Sequence, residues 1–215
     1  MLRNRVKSSD FFRNMKGMPM FLLETQKSLI PRHFSRRWKR RALPQRWVSA
    51  YRDKVPRIES SAFVDAAARI IGDVWVEAEA SIWPMAVLRA DSAKIYVGRR
   101  AAILELSLLE APEEHPVWVE EEALVSHGAI IHGACVQRRA LIGIGAIVLD
   151  GAVVSTGSII GAGSLVSPGT QVPTNSFVLG VPGRIVRETT PDERQSIIDQ
   201  LDELHRKSRY LRSSQ

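Results

Sequence analysis

From Val119 to Val172 apolar residues return on a six-residue beat. Val119, Val125 and Ile131, then after one five-residue step Val136, Ile142, Val148, Val154, Ile160, Val166 and Val172, put a β-branched aliphatic at the first position of each unit. Four places after each stands a small residue: Ala123, Ala129, Cys135, Ala140, Ala146, Ala152, Ser158, Ser164 and Thr170. An amphipathic helix would return like faces about every 3.6 residues, and a half-buried strand every two. A β-sandwich would need period-two alternation and hairpin turns, and the stretch shows neither. One bulky and one small inward residue in six predict a short strand followed by a corner. Three such units make one triangular coil of an all-β solenoid, the parallel β-helix.

The same beat runs upstream through Val64, Ile70, Val76, Ile82 and Leu88, and after a three-residue slip through Val97, Ile103 and Leu109. An insertion that leaves the beat intact on both sides predicts a segment looping out of a corner, with Arg89-Ala90-Asp91 at its start. A second break from Glu110 to Trp118 contains Ala-Pro-Glu-Glu-His-Pro and predicts a protruding loop. Past Val172 the beat stops at the turn cluster Gly180-Val181-Pro182-Gly183. Thr190, Pro191 and Glu193 then supply an N-cap hydroxyl, a first-turn proline and a capping-box carboxylate. The helix they open has a stripe of Ile197, Ile198, Leu201 and Leu204, extended to Tyr210 and Leu211, which needs a prism face to cover. The organisation is therefore a basic extension over 1–47, a β-helix over 48–189, and a helix and tail over 190–215.

Charge separates the extension from the rest. Residues 1–47 hold 13 Lys and Arg against Asp10 and Glu24, about +11, while the whole chain is +7, so the remainder is net acidic. An Arg-rich, acid-poor leader predicts a mitochondrial targeting segment or a retained arm that docks on acidic protein or anionic lipid. Nucleic acid is not expected as a partner, because no recognisable nucleic-acid module accompanies the Arg36 to Arg41 cluster. The single cysteine, Cys135, falls on a small-residue position and reads as a buried thiol. No disulfide framework is available to it.

Several ordered motifs resemble the gamma-class carbonic anhydrases over roughly Tyr51 to Leu211. They are Ile71-Gly72-Asp73-Val74, Ile82-Trp83-Pro84, Arg89 with Asp91, and His127 with His132-Gly133. They continue with Ile144-Gly145, Leu149-Asp150-Gly151, Gly161-Ala162-Gly163-Ser164, Gly180-Val181-Pro182 and the terminal helix. The resemblance implies left-handed β-helices in a homotrimer or heterotrimer, with zinc held between two subunits by three histidines. His127 and His132 match the second and third of these. The family's Asn-Ile-Gln-Asp segment ending in the first histidine corresponds here to Ala102, Ile103, Leu104 and Glu105, ending in Glu110. Arg89, Asp91 and Glu105 match charged positions that hold the trimer interface.

Catalytic zinc needs about three protein ligands and an open position to bring bound water to a pKa near 7. The resemblance therefore implies a degenerate metal set of His127, His132 and Glu110, with Leu104 in place of the hydroxide-binding glutamine and no complete catalytic group. A carboxylate ligand would also make bound water less acidic. Zinc, if held, would sit at an interface completed by another subunit. Incomplete gamma-type chains with a basic leader resemble the carbonic anhydrase-like subunits of mitochondrial respiratory complex I. That implies a structural role on the matrix side of the inner membrane, beside homologous subunits and membrane-arm proteins. The alternatives are a zinc-dependent trimeric carbonic anhydrase and a hexapeptide acyltransferase that binds coenzyme A and uses His127 as general base.

Overall fold

The computed structural model describes residues 47–213. The targeting or docking segment expected over 1–47 lies outside the described residues, apart from Trp47.

The six-residue beat becomes three stacked faces. On the first, β3 (Phe63–Val64), β5 (Ser81–Ile82), β7 (Ala102–Ile103), β10 (Leu124–Val125), β13 (Leu141–Ile142), β16 (Ile159–Ile160) and β19 (Ser176–Leu179) pair in parallel. The long strands β4 (Arg69–Val76) and β6 (Val87–Val97) each run across the other two faces. β8 (Leu108–Glu110), β11 (Ile130–His132), β14 (Ile147–Val148) and β17 (Leu165–Val166) continue the second face. β9 (Val117–Val119), β12 (Cys135–Val136), β15 (Val153–Val154) and β18 (Gln171–Val172) continue the third. The described residues form a parallel β-solenoid of about seven turns with one C-terminal helix. Short β1 (Val48–Ser49) and β2 (Arg57–Ile58) pair with β4 at the first coil.

Each inward aliphatic stacks on the equivalent residue one coil away. Val119, Val125, Ile131, Val136, Ile142, Val148, Val154 and Ile160 are all fully buried, together with the small residues Ala123, Ala129, Ala140, Ala146 and Ala152. The core is thus a narrow column. Branched side chains fill it at the strand spacing of about 4.8 Å, and alanine leaves room for the backbone to turn.

Two local expectations change and a third holds. The slip after Leu88 does not loop out, because β6 continues as an 11-residue strand through Arg89, Ala90 and Asp91. The extra residues are absorbed as a register shift against β4 between Gly72 and Val74. The backbone comes so close there that a Cβ on Gly72, whose φ is +82°, would lie 2.1 Å from the Ala90 carbonyl oxygen. Cys135 does not hold the small inward position. The five-residue step between Ile131 and Val136 gives that place to Ala134, and Cys135 stands outward in register with Trp118 and Val153. It is nonetheless buried, and burial pushes its thiol pKa up. The expected loop after Glu110 is present, and residues 111–116 carry no strand.

Past β19, the antiparallel strand β20 (Arg184–Glu188) leads into α1 (Pro191–Ser213). The cap is reciprocal. The Glu193 amide donates to Thr190 Oγ1 at 3.2 Å, and the Thr190 amide donates to Glu193 Oε2 at 2.9 Å. Arg187 adds two bonds to the same carboxylate at 2.7 and 2.8 Å. α1 buries Ile197, Leu201 and Ser208. It lies on its own chain's first face, against Phe63, Trp83, Ala102, Leu104, Leu124 and Ile159. Tyr210 is off this stripe and 73% exposed, because continuing from Ile197 and Leu201 at helical spacing reaches Ser208 instead.

Val154→Asp would bury an uncompensated charge in the column, and we predict a loss of several kcal/mol. A soluble variant with a cooperative thermal transition like the parent's would contradict the register. Glu193→Ala should cost about 1 kcal/mol through the lost cap. Arg187, followed by the Thr190 amide, holds the Glu193 carboxyl down from 4.5 to about 2. A depressed carboxyl contributes its stability above its unfolded value, so the contribution is complete above about pH 4.5 and fades as pH falls towards 2. The difference in melting temperature between parent and variant should therefore shrink across that window.

Candidate functional site

The outer end of the second face collects charge. Arg89, Glu110 and His132 each follow a buried inward residue, Leu88, Leu109 and Ile131, so strand alternation turns all three outward. They lie in direct register on successive coils, Arg89 beside Glu110 and Glu110 beside His132. The Arg89 guanidinium donates to Glu110 Oε1 and, at 3.1 Å, to Asp91 Oδ2. The Glu110 carboxylate, with Asp91 behind it, raises the Arg89 pKa above its ordinary value. His132 Nε2 faces the same Glu110 oxygen at 3.8 Å. Its Nδ1 bonds Asp150 Oδ1 at 2.6 Å.

Asp150 reaches this position because residue 133 is glycine. At Gly133, with φ +58°, a Cβ would lie 2.4 Å from Asp150 Oδ1 and 2.6 Å from the His115 Cβ. Any larger residue would push the carboxylate off the imidazole or displace the loop that carries His115. Asp150 stands in the Leu149-Asp150-Gly151 motif with no site role expected of it, and its contact with His132 adds it to the candidate site, although a signal existed. It follows His132 by 18 residues, which is one coil of three hexapeptides.

His127 lies elsewhere. It stands at the corner before β11, 53% exposed, with its Nε2 3.2 Å from Glu105 Oε2 on the coil below. His127 and Gly128 make the turn before β11 (Ile130–His132), whose last residue is His132, so the turn and the strand separate the two histidines. Beside this corner Met85, Leu106 and Ile144 are exposed, whereas Leu104 is buried among the residues that α1 covers. Leu104 is therefore packing, on the far side of the corner from solvent.

His127, His132 and Glu110 do not meet within one chain, and no group of three metal-binding side chains occurs among the described residues. The donors also fit zinc poorly. The Glu110 oxygen that faces His132 is already taken by a guanidinium, which places a fixed positive charge where a dication would have to sit. What the arrangement supplies is a row of hydrogen-bonding and charged side chains, Asp91, Arg89, Glu110, His132 and Asp150, running across four coils.

No family model matches the chain. Among curated proteins it is 43% identical to a carbonic anhydrase of Geobacillus kaustophilus over 143 residues, 66% of this chain and 79% of that protein. It is 35% identical to the mitochondrial gamma carbonic anhydrase 1 of Arabidopsis thaliana over 147 residues, 66% of this chain and 54% of that protein. Among solved structures it resembles a hexapeptide transferase family protein from Anaplasma phagocytophilum, with a TM-score of 0.73, 31% identity and coverage of 76% of this chain and 96% of the other. The solenoid, the paired positions of Glu110 and His132, and the extent of the Geobacillus match agree: the chain belongs to the gamma carbonic anhydrase family.

Proposed function

We propose that this chain is a structural member of its family: a catalytically silent subunit of the matrix-facing trimeric domain of mitochondrial respiratory complex I. The observation that carries the reading is the engagement of Glu110 by Arg89, which ties up the first of the three ligand positions in an internal ion pair. Hydration of CO2 on zinc needs an open, three-ligand site that acidifies a bound water. A carboxylate already neutralised by arginine supplies neither the ligand nor the vacancy.

An assembly role is supported by the second face. Val87, Leu108, Ile130, Ile147 and Leu165 form an outward aliphatic row that no helix covers among the described residues, and all five are half-buried. Apolar rows of this kind on a flat sheet are surfaces for another chain. The basic leader and the similarity to a mitochondrial plant protein support the compartment. In this reading the partners are homologous gamma-type subunits and proteins of the membrane arm, with anionic lipid as a further contact for the leader.

A second reading, acyl transfer from coenzyme A, is favoured by one feature. The 2.6 Å bond from Asp150 fixes the His132 ring as an orienting carboxylate fixes a general base. In that case His132, rather than the Glu105-bound His127, would serve as the base.

Purified chain should accelerate CO2 hydration negligibly in a stopped-flow assay. Glu110→His should increase zinc binding more than turnover, because the Arg89 guanidinium remains beside the site. Family-like turnover by the unmodified chain, lost in His132→Ala, would overturn the structural reading. Acetyl-coenzyme A-dependent labelling of an acceptor, lost in the same variant, would favour the second one.

A further inference from the structure

The third face carries an outward row that a bare sheet would expose, yet most of the row is buried. Trp75, Tyr96, Trp118, Cys135 and Val153 follow one another in register on successive coils. Trp75 and Trp118 are 6% exposed, Cys135 4% and Val153 2%. The corresponding row on the second face is only half-buried, and α1 lies on the first face. Among the described residues no strand or helix lies over the third. The burial has a definite extent, because Gln171, one coil beyond Val153, is exposed. Along one margin stand Glu59, Glu77 and Glu120, each next after the last residue of its strand. No side-chain cation among the described residues pairs with any of the three. Burial raises the carboxyl pKa of Glu77 and of Glu120.

We infer that the third face is the docking surface for residues 38–46 of the same chain, with Trp38 and Leu43 as apolar anchors and Lys39, Arg40 and Arg41 set against Glu59, Glu77 and Glu120. This contact goes beyond the assembly role proposed above, which uses the second face. Length permits it. The described chain begins at Trp47, whose carbonyl accepts the Ile70 amide at 2.9 Å on the first coil, beside the strand that carries Trp75. From there nine extended residues reach about 30 Å, whereas the four strand spacings from Trp75 to Val153 cover about 19 Å. The chemistry also matches. Residues 38–46 hold Lys39, Arg40, Arg41 and Arg46 and no acid. Cations brought to half-buried carboxylates favour their charged form and offset the cost of burying them. Trp75 shows that the face accepts such groups, since Arg57 and Lys94 stack on its ring at 4.5 and 3.7 Å. A segment tethered at the edge of the face has a high effective concentration there, so a weak contact suffices to hold it.

The test is thiol labelling of the full-length chain, with its single cysteine, Cys135, as the reporter of the covered face. In the parent the thiol should react at least about a hundredfold more slowly than in denaturant, at a rate that does not change on dilution of the protein. The double variant Arg40→Glu with Arg41→Glu should label at least about tenfold faster, because it sets carboxylates against carboxylates, and Trp38→Ala should label faster by a smaller factor. None of these residues belongs to the inward column, so the variants should melt like the parent and their labelling should report the face rather than unfolding. Carbodiimide cross-linking read by mass spectrometry gives a second readout. Lys39 should be joined to Glu59, Glu77 or Glu120 of its own chain. Four results would overturn the inference: rapid labelling of the parent, variants that label at the parent's rate, Lys39 joined to other carboxylates instead, or protection that fades on dilution. The last would make a second copy the occupant. Hydratase activity in the same preparation would count against the structural role and would not bear on this contact.

Discussion

The structure depends on the vertical stacking of one inward aliphatic residue on the next, coil after coil. Once Val136, Ile142, Val148, Val154 and Ile160 are fixed in that column, every residue between them has a determined face and height. A chain distance of three hexapeptides becomes a contact of neighbouring strands. Chemistry in such a fold is written vertically: His132 reaches Asp150 because they are 18 residues apart. Arg89 reaches Glu110 at a separation of 21, and the three additional residues are those absorbed in β6. The insertion lies immediately beyond Arg89 and the loop immediately beyond Glu110, so both irregularities border the charged cluster without disturbing the column beneath it.

The resemblance implies that position 110 is a ligand position of the family, and the arrangement is compatible with a scaffold that keeps its fold when that position changes. Replacing a neutral imidazole with a carboxylate at position 110 would leave an uncompensated negative charge on a half-buried strand end. Arg89, in register one coil away, supplies the compensation by a charge-assisted bond. The column does not sense the exchange, because all three register partners point outward. The apolar row on the same face is likewise built without any ion.

Most of the fold is legible in the sequence because its period is strict. The inward positions, the loop after Glu110 and the capped helix follow from spacing and cap chemistry alone. The exceptions are places where the period is broken and spacing cannot say how the break is accommodated. The residues after Arg89 extend a strand because Gly72 permits close backbone approach. The deletion before Val136 moves Cys135 from inward to outward while Ala134 takes its place. The outward positions are less legible still. Nothing in the order of residues pairs Glu110 with Arg89 in preference to His132, or His127 with Glu105, since those choices depend on side-chain reach between coils of unequal length. Asp150 could have been found by counting one coil forward from His132.

The central claim is that an arginine–glutamate pair stands where the family's scaffold would otherwise hold a metal. Anomalous diffraction at the zinc absorption edge, from crystals of the assembled chain grown in excess zinc, tests it most directly. The account predicts no anomalous peak between Glu110 and His132, with the Arg89 guanidinium on the Glu110 carboxylate. A strong peak within about 2.1 Å of His132 Nε2, with Arg89 displaced from Glu110, would contradict it.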